Sequence, residues 1–249
     1  MSGHSHWAGI KHKKAANDAK RGKIWSKVAR MIIVAAKAGG GDPSQNLTLR
    51  YAIDKAKGAN MPKDTIEKAI KKGTGGLEGV TYEEVLYEGY APGGIAIMVD
   101  GLTDNRNRTG PEIKKIFEKR GGSLGACGCV NWMFDKKGVF IVKTDAIGED
   151  ELMDIVLEAG AEDMENLGEV YEITCQSAAF EAIKGALQEK EIATESAEVS
   201  MVPQNSIEIT DAETARKILN LIEDFEDHDD VQNVYANFDI PDEIIQQME

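Results

Sequence analysis

The chain has 249 residues, 42% of them hydrophobic and 29% charged. These proportions suit a globular protein with a real core, and at roughly 150 residues per domain they allow one to three domains. The longest purely apolar run, Met31–Ala36, is far shorter than the about 18 residues a membrane-spanning helix needs. The three cysteines are too few, and odd in number, for a disulfide framework, so a reducing cytoplasmic setting is expected.

The net charge of −14 hides a division. Residues 1–76 hold 16 Lys+Arg and 5 Asp+Glu, a net of +11, whereas residues 77–249 hold 13 and 38, a net of −25. A small basic head on a large acidic body predicts a polyanionic partner met by the head alone.

Residues 1–16 show no apolar periodicity and read as a basic arm carrying Trp7. No apolar segment follows His4, His6, Lys11, His12, Lys13 and Lys14, so no secretory leader is expected. From about Ala15 to Ala38 the period is helical, with Ile24, Val28, Met31, Ile32 and Ala35 on one stripe. Lys20, Lys23, Lys27 and Arg30 form a separate basic stripe, and Gly39-Gly40-Gly41 stops the helix. Asp42 is expected to cap a second helix that ends near Gly58, and a third runs from about Pro62 to Gly73. Gly73-Thr74-Gly75-Gly76 reads as a linker.

Strands are then expected at Tyr82–Tyr87 and Ile95–Val99, the second apolar throughout and therefore central. The polar loop Thr103–Arg108 leads to a helix expected to be capped by Thr109 and closed at Gly121-Gly122, followed by a strand at Val130–Phe134. A βαβαβ-like run comes next, with strands at Val139–Val142, Val170–Cys175 and Glu198–Val202 and helices at Glu149–Glu158 and Ala178–Lys190. A strand at Ile207–Ile209, a helix from Asp211 to about Asp227 and a strand at Val231–Phe238 finish the pattern. The shared strand–helix–strand rhythm suggests a basic helical domain at 1–76, a discontinuous α/β domain at 79–134 and 206–249, and an inserted α/β domain at 135–205.

The chain carries no G-x-S-x-G, H-E-x-x-H, Walker loop or intact G-x-G-x-x-G, and no nucleophile–base pair stands out, so no enzymatic activity, cofactor or small-molecule substrate is expected. Cys127-x-Cys129 would place two thiols on one face of a strand. Without a second ligand pair it reads as packing, and no metal site is expected. The acidic run Glu223, Asp224, Glu226, Asp227, Asp229 and Asp230 reads either as a solvated helix end or as a contact face.

The basic residues Lys11, Lys13, Lys14, Lys20, Lys23, Lys27 and Arg30 read either as a solvated lysine face or as phosphate contacts. Their concentration in an otherwise acidic chain favours the second. Arg106 and Arg108, expected just ahead of a helix N-terminus where backbone N–H groups favour an anion, are a second candidate contact.

Several strings resemble the YebC family. They are Met1–Lys14, Ala35–Gly40, Asn60-Met-Pro62, Ala69–Gly73, Tyr87–Tyr90, Leu102-Thr-Asp-Asn-Arg-Asn-Arg-Thr109, Pro203-Gln-Asn205 and Asp229–Val234. The likeness runs along essentially the whole chain, departing from the usual pattern at His6, Gly9, Cys127 and Cys129. It implies an α+β, multidomain fold: an N-terminal three-helix domain plus two α/β domains of ferredoxin-like type around a cleft, one inserted in the other. It also implies a role in gene expression. Bacterial members are described as DNA-binding transcriptional regulators, the family includes a mitochondrial translational activator, and members are linked to ribosomes stalled on proline-rich chains. Residues and resemblance together predict a non-enzymatic, cytoplasmic nucleic-acid-binding regulator. Its expected contacts are Lys11, His12, Lys13, Lys14, Lys20, Lys23, Lys27, Arg30, Arg106 and Arg108. Ribosomal RNA is the favoured partner, because an arm of small and aromatic residues suits a crowded RNA interior. DNA is the alternative.

Overall fold

The computed structural model describes residues 21–77 and 81–246. The expected arm, with Trp7, Lys11, His12, Lys13 and Lys14, and Lys20 beside it, lies outside the described residues. The described chain is mixed α+β, a helical N-terminal region followed by two separate four-stranded sheets. It falls into two compact units. One holds the described residues up to Cys129 together with Lys217–Val234; the other holds Val130–Arg216 and the described residues from Tyr235 onward.

The first unit begins with three helices, α1 (Arg21–Gly39), α2 (Leu47–Gly58) and α3 (Lys63–Gly73). The apolar stripe of α1 behaves as its spacing predicts: Val28, Ile32, Ala35 and Ala36 are buried against Leu49, Ala52, Ala56, Met61, Ile66 and Ala69. Ile24, at the stripe's amino end, is exposed. Trp25 packs on this core and its indole N–H donates to the Ala59 carbonyl at 2.9 Å.

The cap of α2 differs from the expectation. Asp42 forms a local turn, accepting from the Ser44 N–H at 2.9 Å and hydroxyl at 2.7 Å. The N-cap is Asn46, whose side-chain oxygen accepts from the Leu49 N–H at 3.0 Å. Its amide nitrogen donates to the carbonyls of Ala35 at 2.8 Å and Gly40 at 2.9 Å. One buried amide thus serves both the last carbonyls of α1 and the first N–H groups of α2, a two-sided task that a carboxylate, which cannot donate, cannot perform.

The unit's sheet contains β1 (Glu83–Tyr90), β2 (Ala96–Thr103), β3 (Ser123–Leu124) and β9 (Val231–Ala236) in the order β3-β1-β2-β9. β1 and β2 pair antiparallel from Glu83↔Thr103 to Tyr90↔Ala96, and the apolar β2 is central as expected. Helix α4 (Arg106–Lys119) buries Ile113 and Phe117. The Phe117 ring meets Phe225 edge-on at 4.7 Å, on α7 (Ala212–Glu226). Thr109 is not the cap of α4. Asn105 is, accepting from the N–H groups of Asn107 and Arg108 at 3.1 and 3.2 Å. Arg106 and Arg108 therefore lie inside the first helical turn rather than ahead of it.

The second unit's sheet contains β4 (Phe134–Lys143), β5 (Ala161–Asn166), β6 (Val170–Gln176) and β7 (Thr194–Pro203) in the order β5-β6-β4-β7, every pair antiparallel. With α5 (Glu149–Glu158) and α6 (Phe180–Glu189) between them, the connection is β-α-β-β-α-β, the ferredoxin-like arrangement. The expected βαβαβ run omits β5. Its sequence, Ala-Glu-Asp-Met-Glu-Asn, has no apolar alternation because it forms the sheet edge. The β5–β6 hairpin reverses the chain and makes the pairing antiparallel. Phe140 stacks on Phe180 at 4.7 Å beneath the helices.

The segment expected as a strand at Val130–Phe134 is instead a helical turn, Asn131–Met133, leading into β4. The expected strand Val231–Phe238 divides at the buried Asn237. Beyond it, β10 (Phe238–Asp239) pairs in parallel with β8 (Ile207–Glu208), and a short helix, α8 (Asp242–Gln246), follows.

Asn46 provides a test of the helical region. Replacing it with alanine removes the N-cap and takes the side-chain donor from the buried Ala35 carbonyl and from the Gly40 carbonyl. Asn46→Ala is expected to lower unfolding free energy by about 1–3 kcal/mol, measured by urea titration; an unchanged midpoint would contradict the double-capping role.

Candidate nucleic-acid interface

The expected basic stripe begins with helix geometry. Lys23, Lys27 and Arg30 are spaced four and three residues apart on α1, so they share a face. In the structure this face meets the carboxyl end of α7 and the segment after it. A helix carboxyl terminus already presents unsatisfied carbonyls and the negative end of the dipole. Here it also carries Glu223, Asp224, Glu226, Asp227, Asp229 and Asp230, so folding demands cations at this place.

Helix α1 supplies them. The Lys23 ammonium lies 3.3 Å from the Asp227 carbonyl and 3.4 Å from its carboxylate. Lys27 donates to the Glu226 carbonyl at 2.6 Å. Arg30 donates to the Asp229 carbonyl, lies 3.4 Å from the Asp230 carboxylate and stacks over the Tyr82 ring at 5.6 Å. Burial pulls the Lys27 pKa down to about 8, against the opposing pull of Glu226, Asp229 and Asp227. Helix α4 contributes Arg120, which grips Asp224 through two hydrogen bonds at 2.8 and 3.1 Å, and Lys119 at 3.3 Å.

Asp230 is the centre of the cluster. Only 3% of it is exposed, and one carboxylate oxygen accepts from Arg108 at 2.6 Å, Thr109 at 2.7 Å and Thr103 at 3.0 Å. Burial works to raise its pKa, but the bonds from Thr109, Arg108 and Thr103 prevail and hold it below the ordinary carboxylate value. Its carbonyl accepts from the Leu102 N–H at 2.8 Å, and its N–H donates to His228 Nδ1 at 3.2 Å. That assigns the proton of His228 to Nε2, which faces Glu112 at 2.9 Å. Gly101 makes room: a Cβ there would stand 2.5 Å from the Asp230 carbonyl oxygen.

The Thr103–Thr109 string is thus a cradle for an internal carboxylate. Arg108 also pairs with Asp104 at 2.8 Å, and Arg106 pairs with Glu83 at 2.6 Å and donates to the Glu84 carbonyl at 2.8 Å.

These contacts correct the picture of an open cationic stripe. Lys23, Lys27, Arg30, Arg106 and Arg108, the predicted contacts that fall among the described residues, all face carboxylates or carbonyls of their own chain. The acidic run is no solvated helix end either. What sequence reasoning missed is the set left over. Lys37, Arg50, Lys68, Lys71 and Lys72 are exposed, with no carboxylate partner among the described residues. Lys68, Lys71 and Lys72 share one face of α3, opposite the buried Ile66 and Ala69. The signal was present in their spacing, but two of them also suit the α3 dipole, which masked it. The Lys63–Glu67 and Lys57–Asp54 pairs, at 3.9 and 3.7 Å, are exposed and neutralise little.

No group of three His, Cys, Asp or Glu side chains among the described residues could hold a metal ion. Among them, no helix is long and apolar enough to cross a membrane.

Comparison with known proteins places this geometry in a family. Residues 5–76 match the model of the TACO1/YebC protein N-terminal domain, and residues 82–238 match that of the TACO1/YebC second and third domain. A protein of Desulfitobacterium hafniense is 57% identical over 98% of both chains, and one of Dictyoglomus thermophilum is 55% identical over the full length of both. Each is named a probable transcriptional regulatory protein. The crystal structure of a conserved hypothetical protein from Aquifex aeolicus superposes with a TM-score of 0.87 at 49% identity, covering 97% of this chain and 99% of the other. The chain belongs to the TACO1/YebC family.

The cluster makes a pH dependence. Asp230 and Asp224 are held below their ordinary pKa when folded and return to about 3.9 when unfolded. Their stabilisation is complete above that value and disappears as pH falls through the folded values. Urea unfolding from pH 7 to 3 should show stability falling steeply below about pH 4. Asp230→Asn should be less stable by about 2–3 kcal/mol at pH 7 and should flatten that fall. An Asp230→Asn protein as stable as wild type at pH 7 would refute the role.

Proposed function

We propose, with membership of the TACO1/YebC family as the premise, that this chain is a non-catalytic nucleic-acid-binding regulator of gene expression. We assign its polyanion contact to the helical N-terminal region. The observation that carries this reading is the divided use of cations: α1 spends its stripe on internal carboxylates, while Lys37, Arg50, Lys68, Lys71 and Lys72 stay exposed with no carboxylate partner among the described residues. Residues 21–76 hold 12 Lys+Arg against 4 Asp+Glu, and such an excess concentrates a phosphate polymer. Lys11, His12, Lys13, Lys14 and Lys20, outside the described residues, belong to the same proposed set of contacts.

The favoured polymer is ribosomal RNA, bound in the cytoplasm. The leftover face of α3 carries lysines, which grip phosphate as point charges but read base edges poorly. That suits a factor docked on one abundant structured RNA better than one selecting a promoter. Action on ribosomes stalled at proline-rich sequences rests on the family resemblance. The second reading, a DNA-binding transcriptional regulator, is favoured by the names of the relatives from Desulfitobacterium and Dictyoglomus.

Titrations of the protein against a ribosomal RNA fragment and a duplex DNA of equal length, at several salt concentrations, test the proposal. Lys68→Glu/Lys71→Glu/Lys72→Glu should weaken RNA binding at least about tenfold and reduce the salt slope by about 2–3. Lys23→Glu should lower thermal stability. Unchanged RNA affinity in the triple variant refutes the assigned face, and a duplex preference of about 10³ for one sequence replaces the ribosomal reading by the transcriptional one. Removing residues 1–20 should also abolish co-sedimentation with ribosomes.

A further inference from the structure

Cys127-x-Cys129, expected to lie on one face of a strand, is instead in a turn. The Ala126 carbonyl accepts from the Cys129 N–H at 3.2 Å. Gly128, third of the four turn residues, has φ +87°, as a type II turn requires. In an extended strand the α-carbons of residues two apart stand about 7 Å from each other, at or beyond the limit for a disulfide, about 6.8 Å. A turn shortens that span. Cys127 is exposed and Cys129 half-buried, whereas the third cysteine, Cys175, is buried in the other unit; none of the three is in a disulfide.

The surroundings hold the turn largely through its backbone. The carboxylate of Glu88, a buried residue of β1, accepts from the Gly128 N–H at 2.6 Å, and the Glu88 carbonyl accepts from the Gly125 N–H at 2.7 Å. The Tyr90 hydroxyl donates to the Cys129 carbonyl at 3.2 Å. A Cβ on Gly125 would stand 2.5 Å from Cys129 Sγ, so the absence of a side chain there is what accommodates the sulfur. These contacts anchor a turn that carries both thiols, next to the point where the chain leaves the first unit between Cys129 and Val130.

We propose that Cys127 and Cys129 form a redox site, closing to an internal disulfide when the protein meets a peroxide and reopening with a thiol reductant. In the first step the Cys127 thiol gives up its proton and the thiolate sulfur attacks one peroxide oxygen: an S–O bond forms, the O–O bond breaks, and the departing hydroxide takes up the proton the thiol released, leaving as water. The sulfur is oxidised to a sulfenic acid and the peroxide is reduced. In the second step Cys129 sulfur attacks Cys127 sulfur, the S–S bond forms, the S–O bond breaks, and the hydroxide released takes the Cys129 proton as a second water. Two thiols and one hydrogen peroxide become one disulfide and two waters. Cys127 reacts first because it is exposed, while burial, with the charge of Glu88 beside it, pushes the Cys129 thiol pKa up. Cys129 is the resolving thiol. The site stands apart from the nucleic-acid reading and does not depend on it.

The test uses the full chain, fully reduced and then treated with hydrogen peroxide near neutral pH. Free thiols should fall from three to one, the intact mass should drop by two hydrogens, and the peptide containing residues 127–129 should carry the bridge. Dithiothreitol should restore all three thiols, and the protected thiol should map to Cys175. Cys127→Ser and Cys129→Ser should each abolish the loss of two hydrogens, with the Cys129→Ser protein accumulating oxygen adducts on Cys127. A wild-type protein that gains oxygen on Cys127 while Cys129 stays a thiol, that bridges only between chains, or that keeps all three thiols overturns the proposal.

Discussion

The carboxyl end of α7 is a place where negative charge cannot stand alone. Its free carbonyls, the helix dipole and a run of aspartates and glutamates all have the same sign. Repulsion among them would open the helix end unless cations were brought to it. Lys23, Lys27 and Arg30 of α1, Lys119 and Arg120 of α4, and Arg108 from the first turn of α4 converge there. This single demand ties the helical region, the α4 helix and the β2–β9 edge of the sheet into one unit. Asp230 sits at the junction and bonds to α1, α4 and β2 at once.

That arrangement changes how the basic head should be understood. Grouped cations repel one another, and a phosphate polymer is one remedy. An acidic segment of the same chain is another, and here it takes the α1 stripe. The two remedies select different residues. A cation held by a buried carboxylate and a carbonyl is fixed in direction and partly desolvated, so removing it disturbs folding. A lysine in water on α3 loses little on meeting a phosphate and gains from counterion release. The same residue type therefore serves architecture on one helix and leaves another available for a partner.

Much of the fold was legible because burial leaves a period. Val28, Ile32 and Ala35 on α1, Ile66 and Ala69 on α3, and the unbroken apolar run of β2 announced their elements and their faces. The edge strand β5 left no such mark, since a strand paired on one side only can be acidic along its length. The caps were misplaced for a different reason. Asp42 and Asn46, like Asn105 and Thr109, are all residue types that cap helices, and only the tertiary partners of Asn46 and Asp230 decide between them. The charge pairing was beyond any local pattern. Lys23 and Asp227 are 204 positions apart and Lys27 and Glu226 are 199, so the basic and acidic runs each read as solvent-facing when taken singly.

The string Thr103–Thr109 shows why a distinctive motif need not be a ligand site. Hydroxyls and an arginine ahead of, or at, a helix N-terminus are the ingredients of an anion nest. The same ingredients hold Asp230, with Thr103, Thr109 and Arg108 all on one carboxylate oxygen. An internal carboxylate has an advantage over a free anion: it arrives tethered, and its backbone is already fixed by the Leu102 N–H and by the close approach at Gly101. An external phosphate entering here would have to displace that carboxylate and leave it buried beside a second negative charge. The electrostatics therefore commit the motif to folding.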